Sequence, residues 1–89
     1  MKILVIGLGP IGLAAAACLA EFGWTVRGVE ADPAFAARLR VADIPWLEPG
    51  LGDLVRRNVE RGRLAIAAAP DMAAVTADII FVADVPGAL

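Results

Sequence analysis

Short apolar runs alternate along this chain with longer stretches in which apolar positions recur at helical spacing. Ile3–Ile6 is a continuous apolar run, Thr25–Val29 and Leu64–Ala68 are short and bounded by turn residues, and Ala77–Ala83 is apolar but for Asp78. Such runs suit parallel strands that are covered on both faces. Between the first two lies Ile11–Phe22, a helix that is apolar nearly all round, hence expected to be buried, with Gly23 as its stop. Asp32 then reads as the N-cap and Pro33 as the first position of a second helix running to about Val41. Asp43–Gly52 holds two prolines and two glycines, which mark a shaped loop. Asp53–Arg61 reads as a helix closed by Gly62, and Asp71–Thr76 as a short helix capped by Asp71. The order β-α-β-α-α-β-α-β predicts an α/β fold: a parallel sheet in spatial order 3-2-1-4, with helices on both faces.

The chemistry of the chain is concentrated in Lys2–Gly12, KILVIGLGPIG. Gly7, Gly9 and Gly12 have the spacing G-x-G-x-x-G between a strand and a helix. In a dinucleotide-binding turn the first glycine permits the sharp exit from the strand. The second lets a pyrophosphate approach the backbone, and the third lets the helix lie close on the sheet. The helix N-terminus directs N–H groups and the positive end of its dipole at the phosphates. Pro10 suits the first helical turn, where its missing N–H has no intrahelical partner. Glu30 stands at the end of the second strand, near the ~20-residue offset expected of the acid that binds the ribose hydroxyls. Gly7, Gly9, Pro10, Ile11, Gly12 and Glu30 are therefore the candidate cofactor-binding residues, on a Rossmann-type sheet. Asp32 is within reach of the same ribose, but capping alone accounts for it. Glu30 favours NAD over NADP, because a carboxylate repels a 2′-phosphate and no arginine follows it directly.

Eighty-nine residues make at most one small domain. With 60% hydrophobic residues and a mean hydropathy of +0.74, the chain has more apolar surface than so small an interior readily hides. Net charge is −2, and without a basic stripe nucleic acid is not an expected partner. Arg56, Arg57, Arg61 and Arg63 cluster on a helix and its exit and read as a solvated face. There is no histidine and a single cysteine, so neither a metal-ligand cluster nor an internal disulfide is expected. Cys18 reads as a packed core thiol. Lys2 followed by uncharged Ile3–Ala20 has the look of an export signal or membrane span, but three glycines and a proline interrupt the run. A cytoplasmic protein without membrane contact is expected.

Taken together, these residues resemble the N-terminal NAD-binding domain of the UDP-glucose/GDP-mannose dehydrogenase family. MKILVIGLGPIGL resembles its opening, GVEADP its second-strand ending and IPWLEPGL its most distinctive loop; NVERGRL and ADIIFVA follow at the right distances. The resemblance covers essentially the whole chain, read as one domain over residues 1–89. It implies NAD as cofactor and oxidation of the C6 hydroxyl of a nucleotide sugar to a carboxylate, in two steps with two NAD. It implies no catalytic residue here: the family's nucleophilic cysteine and its lysine, asparagine and aspartate partners lie beyond residue 89, as does the sugar-nucleotide domain. The expectation is thus a truncated form that is inactive alone, with its fourth strand an exposed apolar edge and its oligomeric state open. Several positions depart from the family pattern. Pro10-Ile11 replace an aromatic–aliphatic pair, Glu30 replaces Asp, Phe35 lies near a basic position, and Ala67-Ala68 replace a threonine-like pair. Asp84-Val85-Pro86-Gly87 stand where a G-T-P loop should approach the nicotinamide. Two other readings keep the fold. The turn also resembles those of zinc-type alcohol dehydrogenases and flavoproteins, neither of which accounts for Ile44–Leu51. A non-catalytic NAD(H)-binding regulatory module would carry the same turn.

Overall fold

The computed structural model describes residues 1–69 and 76–84. Its elements are β1 (Lys2–Ile6), α1 (Pro10–Glu21), β2 (Thr25–Val29), α2 (Pro33–Arg40), α3 (Leu51–Glu60), β3 (Leu64–Ala67) and β4 (Ile79–Val82). The strands form one sheet in the order β3-β2-β1-β4, and every neighbouring pair is parallel. This is the expected order. Ile3 lies opposite Val26 on one side and Ile79 on the other, so β1 is central. The predicted helix over Asp71–Thr76 falls, apart from Thr76, outside the described residues.

Crossovers from β1 to β2 and from β2 to β3 run in one direction across the sheet. Right-handed connections therefore place α1, α2 and α3 on one face, consistent with α3 packing against both α1 and α2. Strand alternation puts Ile3, Val5, Val26, Leu64 and Ile66 on that face, where they form the core with Leu13, Ala16, Ala17 and Ala20 of α1 and Leu51 and Val55 of α3. Four small residues on α1 let it approach the sheet closely: Gly12, Ala16, Ala17 and Ala20 are all buried.

The buried part of α1 is one stripe, and the expectation of all-round burial is corrected. Ile11 and Phe22 are 65% and 82% exposed, and Cys18 is exposed rather than a core thiol. A helix lying on one side of a four-stranded sheet has only one covered face, whatever residues fill the other. The α2 cap is as expected, with Asp32 Oδ1 accepting from the N–H groups of Ala34 at 3.0 Å and Phe35 at 3.4 Å. Helix α3 starts at Leu51, two residues earlier than the sequence suggested, because Gly50 turns the chain in the left-handed region at φ 83°. Asp53 consequently sits inside the first turn rather than at its start. In the loop before it, Ile44 and Trp46 pack against the core, and the Trp46 ring meets Phe35 with centroids 6.2 Å apart. Leu47, directly after Trp46, is 92% exposed.

The arginine cluster forms ion pairs at the surface. Arg57 and Arg61 both reach Glu21 at the end of α1, at 2.9 and 3.5 Å, and Arg56 pairs with Asp53 at 2.9 Å. All four residues of β4 are exposed, from 40% at Phe81 to 60% at Val82. Among the described residues, β4 pairs with β1 alone and its other edge is open.

Candidate functional site at the carboxyl edge of the sheet

Strands β1, β2 and β4 are parallel and end together, so the residues that follow them meet at one edge. Gly7, Gly9, Pro10, Ile11 and Gly12 follow β1, Glu30 follows β2, and Asp84 lies just beyond β4. The structure thus brings all six predicted residues into one region and adds a seventh. Open sheets of this type bind ligands at such an edge, where strand order reverses; here β1 passes to β2 on one side and has β4 on the other.

The turn is built by close approach. Gly7 has φ 92°, and a Cβ there would lie 1.6 Å from the carbonyl oxygen of Ala83. A Cβ on Gly12 would lie 1.7 Å from the carbonyl oxygen of Gly7. Neither gap can be opened by moving a flexible side chain, since both obstacles are backbone. Leu8, between the first two glycines, is fully buried against Gly28 of β2, where a Cβ would meet its side chain at 2.8 Å. In the G-x-G-x-x-G motif Leu8 is an unspecified position. It anchors the turn to the sheet, and the glycine on the adjacent strand is the signal that makes room for it.

The N-terminus of α1 has Gly9 as N-cap, with no side-chain hydrogen bond from that residue, and Pro10 in the first turn. The first intrahelical bond is donated by Leu13 N–H to the Gly9 carbonyl at 2.9 Å, so the N–H groups of Ile11 and Gly12 precede the helical ladder. Glu30 is tied to the turn: its Oε1 accepts from Leu8 N–H at a long 3.4 Å, and its Oε2 from Asp32 N–H at 3.0 Å. Its carboxylate is thus held at the end of β2, beside the turn.

Asp84 was singled out in the sequence only as a departure from the expected loop. Its carboxylate Oδ2 accepts a hydrogen bond from Gly12 N–H. Its backbone has φ 46°, a left-handed conformation that an aspartate tolerates better than most residues. Its side chain covers Gly9, whose added Cβ would meet Asp84 Cβ at 2.8 Å.

The comparison with known proteins decides the family. Residues 1–86 match the model described as the NAD binding domain of the UDP-glucose/GDP-mannose dehydrogenase family. The chain belongs to that family. UDP-glucose 6-dehydrogenase of Pseudomonas aeruginosa is 41% identical over 83 residues, covering 93% of this chain and 18% of the relative. That of Rhizobium meliloti is 40% identical over 83 residues, covering 93% and 19%. Among solved structures, the GDP-mannose dehydrogenase of Pseudomonas aeruginosa superposes with a TM-score of 0.86 at 30% identity, over 93% of this chain and 19% of that one. The UDP-glucose dehydrogenase of Pyrobaculum islandicum gives 0.84 at 33%, over 92% and 19%. The chain therefore spans about a fifth of the length of the curated relatives it matches.

NAD is the cofactor of the matched domain. Much of the edge suits it: a glycine turn with a tight backbone, helix N–H groups ahead of the ladder, and a carboxylate at the end of β2. Asp84 does not, because its negative side chain takes the Gly12 N–H that an anionic pyrophosphate would use. Cys18 is eight residues into a helix that rises ~1.5 Å per residue, so it lies ~12 Å along α1 from this edge. Among the described residues, no group of His, Cys, Asp and Glu could hold a metal ion, and no helix is long and apolar enough to cross a membrane.

Proposed function

We propose that this chain is the NAD-binding part of a nucleotide-sugar dehydrogenase that oxidises the C6 hydroxyl of a UDP- or GDP-sugar to a carboxylate. One observation carries the reading: a family-matched G-x-G-x-x-G turn opens α1 directly beside the Glu30 carboxylate. The backbone from Gly7 through Gly9, Pro10, Ile11 and Gly12 cradles the pyrophosphate, and the first-turn N–H groups of α1 supply its hydrogen bonds. Glu30 accepts hydrogen bonds from the adenosine ribose hydroxyls. It also disfavours a 2′-phosphate by like charge, and no arginine follows it to neutralise one.

The cofactor, when bound, supplies a hydride acceptor. No residue of 1–89 is assigned to proton transfer or to covalent chemistry at the sugar. The chain's own work is to hold the dinucleotide, to orient its adenosine half and to select against the phosphorylated form. Residues 1–89 act here as one dinucleotide-binding unit, and recognition of the sugar nucleotide belongs to a longer chain.

The test has two stages. Calorimetric titration of the 89-residue chain should detect NADH, with NADPH weaker and UDP-glucose undetected. Mixing with a fragment carrying the remaining length of a relative should then restore NADH formation from UDP-glucose or GDP-mannose. NADH binding with no restored oxidation of any nucleotide sugar would support a non-catalytic sensing module instead. Absence of NADH binding by a folded chain would defeat both readings.

A further inference from the structure

The N-terminus of α1 lacks a side-chain cap of its own, yet it is not left bare. The group that caps it comes from 72 positions away in sequence, at the far end of β4. Asp84 accepts from Gly12 N–H, lies over the backbone of Gly9, and adopts φ 46° to do so. Three of its surroundings are thus the three glycines of the turn, since its backbone also lies within 3.2 Å of where a Gly7 Cβ would be. A carboxylate oxygen accepting from a helix N-terminal N–H is the chemical stand-in for a phosphate oxygen, with the same charge sign and the same hydrogen-bond role.

We infer that Asp84 is an internal competitor for the dinucleotide pyrophosphate: its carboxylate holds the Gly12 N–H in the free protein and must leave before the cofactor can seat. This deepens the NAD-binding reading and rests on it. Apparent affinity is lowered by the fraction of molecules in which Asp84 holds the site. A displaced carboxylate that remains near the edge also repels the incoming phosphates. The device sets how tightly the chain takes any pyrophosphate ligand, with no effect on which base or ribose it prefers; that choice lies with Glu30.

Two substitutions separate the charge from the side chain. Asp84→Asn keeps the shape and tolerates positive φ, while removing the charge. Asp84→Gly removes the side chain altogether and suits the left-handed backbone. NADH titrations on the 89-residue chain are expected to show Asp84→Gly binding about tenfold tighter than wild type, with Asp84→Asn in between. In amide NMR spectra the Gly12 resonance should move upfield in both variants as the bond to the carboxylate is lost. Adding NADH should move it again. Equal or weaker NADH binding by folded Asp84→Gly and Asp84→Asn would overturn the proposal and show that Asp84 is neutral toward the cofactor or contacts it favourably. If a Gly12 resonance that responds to the substitutions ignores NADH in all three proteins, the NAD-binding reading itself fails and takes this inference with it. Thermal melts of each variant verify that the comparison is between folded chains.

Discussion

Single residues at the carboxyl edge of the sheet carry the packing of the turn and, on the proposed reading, the cofactor contacts. Gly12→Ala would drive a methyl group into the Gly7 carbonyl, 1.7 Å from an ideal Cβ. The backbone must shift to admit it, so a loss of about 1–3 kcal/mol is expected. At 4–8 °C per kcal/mol for a domain this small, the melting temperature should fall clearly, and scanning calorimetry would register it. Glu30→Ala leaves the turn glycines in place but removes the acceptor beside them. Hydrogen bonds to a charged group contribute ~1.5–3 kcal/mol, so NADH affinity should drop about ten- to a hundredfold. The preference for NADH over NADPH should narrow at the same time, which titration with both cofactors would reveal. The glycines and Glu30 were legible in the sequence because their spacing is set by local geometry: strand, turn, helix, strand. Asp84 was visible there only as an oddity after the last strand. Its contact with Gly12 exists only once β4 has been laid beside β1.

Helices and strands obeyed their local signals wherever the deciding partner was nearby in sequence. Asp32-Pro33 starts α2 as read, since a cap needs only the next three residues. Helix α3 begins before the expected Asp53 because Gly50 supplies a left-handed turn. Between elements, Glu21 at the end of α1 is clamped by Arg57 of α3, with Nε and Nη2 at 3.0 and 2.9 Å from its two oxygens. The hydrogen bonds from Arg57 hold the Glu21 carboxyl below its ordinary value of 4.5, aided by the charges of Arg57 and Arg61. Glu21 in turn raises Arg57. Because the folded value lies below the unfolded one, the clamp stabilises the fold fully above the ordinary carboxyl range. That stabilisation fades as pH falls through the folded value. Melting temperatures followed from about pH 6 down to about pH 3 should therefore decline less steeply in Glu21→Gln than in wild type. About 1 M salt should shrink the difference, because the groups are partly exposed.

At the scale of the molecule, the described residues form a four-stranded parallel sheet with its core on the α1–α3 face and an apolar strand, β4, at one border. An open border of that kind offers unpaired N–H and C=O groups to any other strand. The 89-residue chain should accordingly self-associate as concentration rises, and Ile80→Lys, placing a charge on a residue 52% exposed, should shift sedimentation profiles toward the monomer. Equal association by both proteins would locate the contact elsewhere. The sequence by itself determined the types of the described elements, the glycine turn, the α2 cap, Glu30 as the acid after β2, and the strand order. All of these rest on interactions within a few residues, or on the right-handedness of parallel crossovers. Only the tertiary structure decided which face of α1 is covered, and so that Cys18 lies outside the core. It alone joined Glu21 to Arg57, seated Leu8 against Gly28, and brought Asp84 across the glycines to Gly12. The physical reason is the same each time: these contacts join positions remote in sequence, and no local pattern records a distance that exists only after the sheet has assembled.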